Sequence, residues 1–132
     1  MADIDPVKLA RIEPRLQKEA NIWLSTTRQD GRPHLIPIWF VWLNEKLWIA
    51  TPEGTQKHVN IAANPYVSVA LEDGNSPVVI EGLAEVIQDK TVLTEVNAAF
   101  MKKFNWNVLK DKDARNVFVA IKPEKLLHWE TG

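Results

Sequence analysis

The residues best suited to chemistry are at positions 51–57, TPEGTQK, where a strand leads through a turn into a helix. Thr55 is a suitable N-cap for this helix. The first N–H groups of a helix attract anions, and Lys57 adds a positive charge in the first turn. The pattern is typical of a phosphate site, but such turns also simply cap helices and Glu53 would repel an anion. The motif alone leaves both interpretations open.

Two arginines flank the turn at residues 29–32, and both are candidates for the same anion. The Asp30-Gly31 pair predicts a tight hairpin turn, since glycine adopts the positive φ that such turns need. Arg32 directly precedes an unusual apolar strand and is the stronger candidate. Arg28 is more simply interpreted as a solvated charge of the hairpin.

The sequence gives no support for a metal centre or for hydrolase chemistry. The chain has no cysteine, and His34, His58 and His128 lack the close spacing of metal ligands. No nucleophile-elbow sequence surrounds Ser25 or Ser68. If the protein is an enzyme, a cofactor must supply the reactive group, and no catalytic side chain is assigned.

The strand that must position these groups lies at residues 33–43, PHLIPIWFVWL. Both of its faces are apolar, so both must be covered. One cover is the core of the chain, and the other is a second subunit or a flat ligand. Pro37 has no N–H for a ladder, which predicts an interruption there. Uncovered, Trp39, Val41 and Leu43 would form an exposed apolar patch, so the pattern predicts a homodimer.

Composition narrows the class of partner. The 132 residues carry a net charge of −1, which argues against nucleic acid or an anionic membrane as the main partner. No stretch resembles a signal peptide or a membrane span, so a soluble cytoplasmic protein is expected. The six tryptophans suit an interface or a flat aromatic ligand, or simply fill a barrel.

The order of predicted elements indicates one mainly β domain over residues 1–132. A first helix covers residues 5–19 and should kink or split at Pro14, and Gly82 marks a bulge or a barrel bend within a strand. Antiparallel strands joined by tight turns and closed by helical connections favour a small barrel. The predicted strands are 22–27, 33–43, 47–51, 66–71, 78–87, 117–121 and 126–129, and the later helices are 56–63 and 90–104.

Six short motifs, in this order and spacing, resemble one known family, the pyridoxamine 5′-phosphate oxidase-like FMN-binding split barrels. The resemblance runs from about Trp23 to Trp129. It implies a six-stranded antiparallel Greek-key split barrel that forms a homodimer, with FMN in grooves between the subunits. The motifs are LSTT at 24–27, DGRPH at 30–34, PIWF at 37–40, KHVN at 57–60, NPYVS at 64–68 and IEGLAE at 80–85.

The resemblance also implies which residues bind the cofactor. The phosphate would be bound by Thr51, Gln56 and Lys57, and Trp129 would approach the flavin ring from the partner chain. The ring and ribityl chain would be lined by Arg32 and by the backbone of Ile36, Pro37, Ile38 and Trp39.

Two departures from the family pattern bear on function. Some relatives have Arg-Lys at the positions of Gln56 and Lys57, so one phosphate charge is missing here. The chain lacks an evident C-terminal substrate-binding segment, so pyridoxamine phosphate is not the expected substrate.

The expected activity is an FMN-dependent oxidoreductase acting on an unidentified small molecule. The alternatives are a deazaflavin-dependent reductase of the same fold and a non-catalytic flavin- or tetrapyrrole-binding protein.

Overall fold

The computed structural model describes residues 4–112 and 115–129. Within these ranges the chain forms three α-helices, one short 3-10 helix and seven strands. The helices are α1 (Pro6–Lys18), α2 (Gln56–Ala63) and α3 (Lys90–Phe104), and the 3-10 helix is Val108–Lys110. The strands are β1 (Asn21–Thr27), β2 (Pro33–Trp39), β3 (Val41–Leu43), β4 (Lys46–Pro52), β5 (Tyr66–Leu71), β6 (Val78–Ile87) and β7 (Asn116–His128).

The strands form one antiparallel sheet in the order β2-β1-β5-β6-β7-β4-β3. Its two edges, β2 and β3, are consecutive in the chain and are separated only by Phe40. The sheet must therefore curl until its edges approach each other, which confirms the predicted split barrel. Counting β2 and β3 as one interrupted strand gives the six strands expected, but the interruption falls at Phe40 rather than at Pro37. Pro37 lies in an edge strand, where a missing N–H is tolerated.

The two hairpin turns follow the residue types at their centres. Gly31 has φ +89°, which glycine adopts without steric cost. Asn44 and Glu45 have φ of 55° and 59°, the left-handed pair that a two-residue hairpin requires. These turns fix the registers of β1 with β2 and of β3 with β4.

Two apolar clusters cover the sheet from opposite sides. The larger fills the barrel and includes Leu24, Ile49 and Ile121. The second lies between β3, β4, β7 and helix α3, and it includes Val41 and Phe100. Val41 is 2% exposed. The prediction that a second subunit covers Val41 and Leu43 is therefore wrong, because α3 of the same chain covers both residues.

The prediction of two separate strands at residues 117–121 and 126–129, with a turn between them, is also wrong, because β7 runs through residues 122–125 without a break. Glu81 pairs with Lys125 while Gly82 pairs with Pro123, so Glu124 is the extra residue of a bulge. Gly82 thus marks a bulge, as predicted. A bulge accommodates Pro123 within a strand, since part of the ladder is already interrupted there.

Helix α1 continues through Pro14 as one helix, without the predicted split. Asp5 caps it by accepting a hydrogen bond from the Val7 N–H at 2.9 Å, and Ile12 and Leu16 bury its apolar face. None of the helices in residues 4–112 and 115–129 is long and apolar enough to cross a membrane.

Candidate functional site

The candidate site lies where β4 ends and α2 begins. Thr55 occupies the N-cap position but makes no side-chain capping hydrogen bond. Its hydroxyl instead lies 2.9 Å from the hydroxyl of the buried Thr51. The Gly54 N–H donates to His58 Nδ1 at 3.0 Å, which fixes the turn before the helix. The first-turn N–H groups of α2 are thus left without a capping side chain, as an anion site requires.

Lys57 is a half-buried cation that has no partner in the part of the chain that the structure describes. Among residues 4–112 and 115–129, no carboxylate lies within ion-pair distance of its ammonium and no hydrogen bond engages it. Burial lowers the pKa of Lys57, because desolvation disfavours the charged form. A cation that has lost part of its hydration and lacks a counterion favours the binding of an anion.

His34 lies beside this cation on β2. Burial, followed by the positive charges of Arg28 and Lys57, lowers the pKa of the His34 imidazole. Its Nδ1 atom is buried and has no hydrogen-bond partner in the described part of the chain, although the ring is partly exposed. Arg28 and Lys57 thus both act electrostatically on the His34 imidazole, and an anion bound beside them would oppose their effect on its protonation.

A chain of amide and hydroxyl groups supports the first turn of α2. Gln56 Nε2 donates to Asn60 Oδ1 at 2.7 Å, and Asn60 Nδ2 donates to the buried Thr26 Oγ1 at 2.9 Å. Thr26 pairs directly with His34 across β1 and β2. Thr26 and Asn60 were not predicted as site residues, although each is a polar residue within one of the six matched motifs.

The two hairpin arginines differ in their partners. Arg32 Nε donates to Asp30 Oδ2 at 2.8 Å, and both side chains are mainly exposed. Hydrogen bonds from Arg32 hold the pKa of Asp30 below its usual value, so that carboxylate is ionised beside Arg32. Arg28 instead donates to the Pro33 carbonyl at 2.8 Å. Arg32, the stronger candidate from sequence, is therefore already neutralised by Asp30.

Both arginines line one open groove with residues from α2. Gln29, Asp30 and Val59 complete its lining. The predicted site residues Arg32 and Gln56 are thus brought together, alongside Arg28 and Asn60.

The remaining predicted residues lie along β2, an edge strand. Ile36 and Ile38 pack against the barrel core. Pro37 is exposed and Trp39 is 46% exposed, so both lie on the outer face. The Trp39 ring stacks on Phe104 of α3, with ring centres 4.5 Å apart and planes inclined by 6°. The unpaired edge of β2 begins near Lys57 and leads to a tryptophan of fixed orientation.

Trp129 follows β7, which is not a neighbour of β2 in the strand order of the sheet. Its side chain is 54% exposed, so it is available for contact with another molecule.

An apolar row crosses the outer face of five neighbouring strands. Pro37 pairs with Trp23, Trp23 with Ala70, Ala70 with Val79, and Val79 with Leu127. Trp23 and Leu127 are 42% and 37% exposed. Exposed apolar surface that continues across a sheet marks an interaction surface. We call this row, together with Leu35, which lies two residues from Pro37 on the same face of β2, the outer apolar face.

Metal chemistry has no support in the arrangement of side chains. No group of three or more His, Asp or Glu residues that could bind a metal ion occurs within residues 4–112 and 115–129.

Comparison with known proteins assigns the family. The model of the pyridoxamine 5′-phosphate oxidase family matches residues 9–130, so the chain belongs to this family. None of the curated protein sequences compared with the chain matches it.

Solved structures of several named proteins share the fold. An F420 reductase is 26% identical, covers 87% of this chain and 94% of its own, and superposes with a TM-score of 0.68. HutZ, a heme storage protein from Vibrio cholerae, is 20% identical over 90% and 92% of the two chains, with a TM-score of 0.77. An FAD-binding protein from Mesorhizobium loti is 21% identical over 93% and 90%, with a TM-score of 0.69. The last two likenesses show the fold alone.

Proposed function

We propose that this protein is an FMN-dependent oxidoreductase that binds the flavin phosphate at the start of α2 and the flavin ring along β2. The observation that carries the proposal is the half-buried Lys57, which lacks an anionic partner among the described residues, at the uncapped start of a helix. A phosphate monoester suits this site, because it brings negative charge and several strong acceptor oxygens.

The residues present fit such a phosphate. Lys57 supplies a charge, the first-turn N–H groups of α2 supply donors, and Thr51 and Thr55 supply hydroxyls. The hydrogen bonds from Gln56 through Asn60 to Thr26 fix the helix against β1. The unpaired backbone edge of β2 then offers hydrogen-bonding groups to a planar ring, and bound flavin would supply hydride transfer. The chain's own part is to bind, orient and exclude water, and we assign no side chain as an acid or a base.

We also propose that the working unit is a homodimer joined through the outer apolar face. A two-fold contact buries the same surface of both subunits. Leu127, near Trp129, and Pro37 of β2 both belong to this face, so such a contact would bring Trp129 of one subunit towards β2 of the other. This surface replaces the predicted contact through Val41 and Leu43.

The experiment is an equilibrium titration of the purified protein with FMN, riboflavin and FAD. We expect FMN to bind best, since the phosphate is the group that meets Lys57. Lys57→Ala should weaken FMN binding by about 10- to 100-fold, because a hydrogen bond to a charged group contributes about 1.5–3 kcal/mol. Riboflavin binding should change little.

Lys90→Ala is the matched control, because Lys90 also lies in the first turn of a helix but is exposed beside its cap Asp89. It should bind FMN as the unchanged protein does. Equal affinity for FMN and riboflavin in the unchanged protein would contradict the phosphate site.

A deazaflavin-dependent reductase is the second candidate, favoured by the 26% identity with an F420 reductase. Titration with the deazaflavin F420 beside FMN separates the two cofactors. Tighter binding of F420, with reduced F420 oxidised in the presence of an acceptor, would replace the FMN assignment.

A further inference from the structure

We propose that Arg28, rather than Arg32, supplies the second positive charge for the cofactor phosphate bound by Lys57. This inference rests on the proposed function and names a binding residue of the same site. It reverses the order of the two arginines that the sequence suggested.

Pairing within the hairpin distinguishes the arginines. Both line the groove shared with Gln56 and Asn60. The Arg32 guanidinium is bound to the Asp30 carboxylate, so an incoming anion would have to displace an existing ion pair. Arg28 has no carboxylate within ion-pair distance anywhere in residues 4–112 and 115–129. Arg28 therefore retains its charge for an external anion.

The position of Arg28 is fixed by the strand that carries His34. One terminal nitrogen of its guanidinium, Nη1, donates to the Pro33 carbonyl at 2.8 Å, directly before His34. A guanidinium has five N–H donors, so most of them remain available after this contact. The positive charges of Arg28 and Lys57 both lower the pKa of this imidazole, after the larger effect of burial.

The charge balance of a phosphate monoester supports two cations. Such a group carries about −1.5 to −2 at pH 7. Lys57 provides one positive charge, Gln56 is neutral, and the lowered pKa of His34 keeps its ring neutral in the free protein. Glu53, near the same turn, opposes an anion, and the exposed Arg115 lies 3.8 Å from its carboxylate. A second cation is therefore needed. Two arginines line the groove beside Gln56, and of these Arg28 is the one that has no carboxylate partner among the described residues.

The test compares Arg28→Ala with Arg32→Ala, which serves as the matched control from the same hairpin. Dissociation constants are measured for FMN and for riboflavin. We expect Arg28→Ala to weaken FMN binding roughly 10-fold or more and to leave riboflavin binding unchanged, whereas Arg32→Ala should change FMN binding less than about threefold. Introducing Gln56→Arg into the Arg28→Ala variant should restore FMN binding, because residue 56 lines the same groove.

Four outcomes would overturn the inference. If Arg28→Ala binds FMN as the unchanged protein does, or if Arg32→Ala loses more affinity than Arg28→Ala, Arg28 is not the second phosphate ligand and the proposed function still stands. If Arg28→Ala weakens FMN and riboflavin equally, its effect is on the hairpin rather than on the phosphate. If the unchanged protein binds neither compound, the proposed function fails together with this inference.

Discussion

The Lys103 ammonium contacts both the backbone and the ring of Phe40. Nζ donates to the Phe40 carbonyl at 2.8 Å and lies 4.0 Å from the centre of the Phe40 ring. A longer hydrogen bond of 3.4 Å reaches the Leu16 carbonyl in the last turn of α1. One side chain of α3 thus connects the end of α1 with the residue at which the chain passes from one sheet edge to the other.

This contact predicts a pH-dependent contribution of Lys103 to stability. Burial lowers the pKa of Lys103 to about 8, against an ordinary value of 10.5, and Glu19 opposes the shift only in part. Between these pH values the unfolded chain binds more protons at this position than the folded chain. The free energy of unfolding contributed by Lys103 should therefore rise as the pH increases from about 8 to about 10.5, and should be constant below that window.

The measurement compares urea unfolding of the unchanged protein and of Lys103→Met at pH values on both sides of 8. Near neutral pH the free energies of unfolding of the two proteins should differ little. The methionine removes a poorly solvated charge, which stabilises, but it leaves the Phe40 carbonyl without its hydrogen bond, which destabilises. At higher pH the unchanged protein should be the more stable, and a difference independent of pH would contradict the argument. Lys102→Met, an exposed neighbour, should show no such trend.

The stack of Trp39 on Phe104 should be measurable as both stability and fluorescence. Phe104→Leu removes an aromatic contact worth about 0.5–1.5 kcal/mol beyond the buried area. We expect a loss of this order in the free energy of unfolding and a red shift of Trp39 emission, isolated by subtracting spectra of matched Trp39→Phe variants. Leu109→Ala, at an exposed position of the 3-10 helix, should leave the Trp39 emission unchanged.

Gly82 should tolerate no side chain. A Cβ added there would overlap the Lys122 carbonyl and press against Ile121, so the bulge backbone would have to move. Gly82→Ala should lower stability by roughly 1–3 kcal/mol, the usual cost of overpacking. Gly74→Ala is the control, since nothing lies within 4 Å of its added Cβ. Equal melting temperatures for the two variants would refute the steric explanation.

The outer apolar face should determine the association state. Leu127→Glu places a charge at the end of the apolar row and should convert a dimer into a folded monomer, measured by light scattering. Val7→Glu changes a more exposed apolar residue on α1 and should leave the mass unchanged. If the unchanged protein is already a monomer at micromolar concentration, the dimer proposal is wrong.

Local signals account for what the sequence predicted correctly. Helix α2 and strand β5 have the predicted bounds, because Thr55 and the Asn64-Pro65 pair mark the ends of the helix. The bulge at Gly82 was likewise predicted from a local signal, a glycine inside a strand pattern.

The errors involve partners distant in sequence. Pro123 resembled a turn residue, and only pairing with β6 shows that it lies in a strand. The apolar residues on both faces of the strand around Val41 correctly indicated that both faces are buried there. The sequence could not show whether α3 or a second subunit covers the second face. Likewise, the roles of Arg28 and Arg32 depend on which of them pairs with Asp30, which spacing alone does not determine.

The central position of β7 has a consequence for the order in which the chain acquires its structure. β7 is synthesised after the other six described strands, yet it lies between β6 and β4 and joins the two parts of the sheet. A nascent chain that has emerged only as far as α3 can form a four-stranded sheet, β2-β1-β5-β6, and a separate β3-β4 hairpin, each with an unpaired edge. Such edges are sites of aggregation until they are paired. The barrel can therefore close only after β7 has been synthesised, so closure is a late step of folding during biosynthesis.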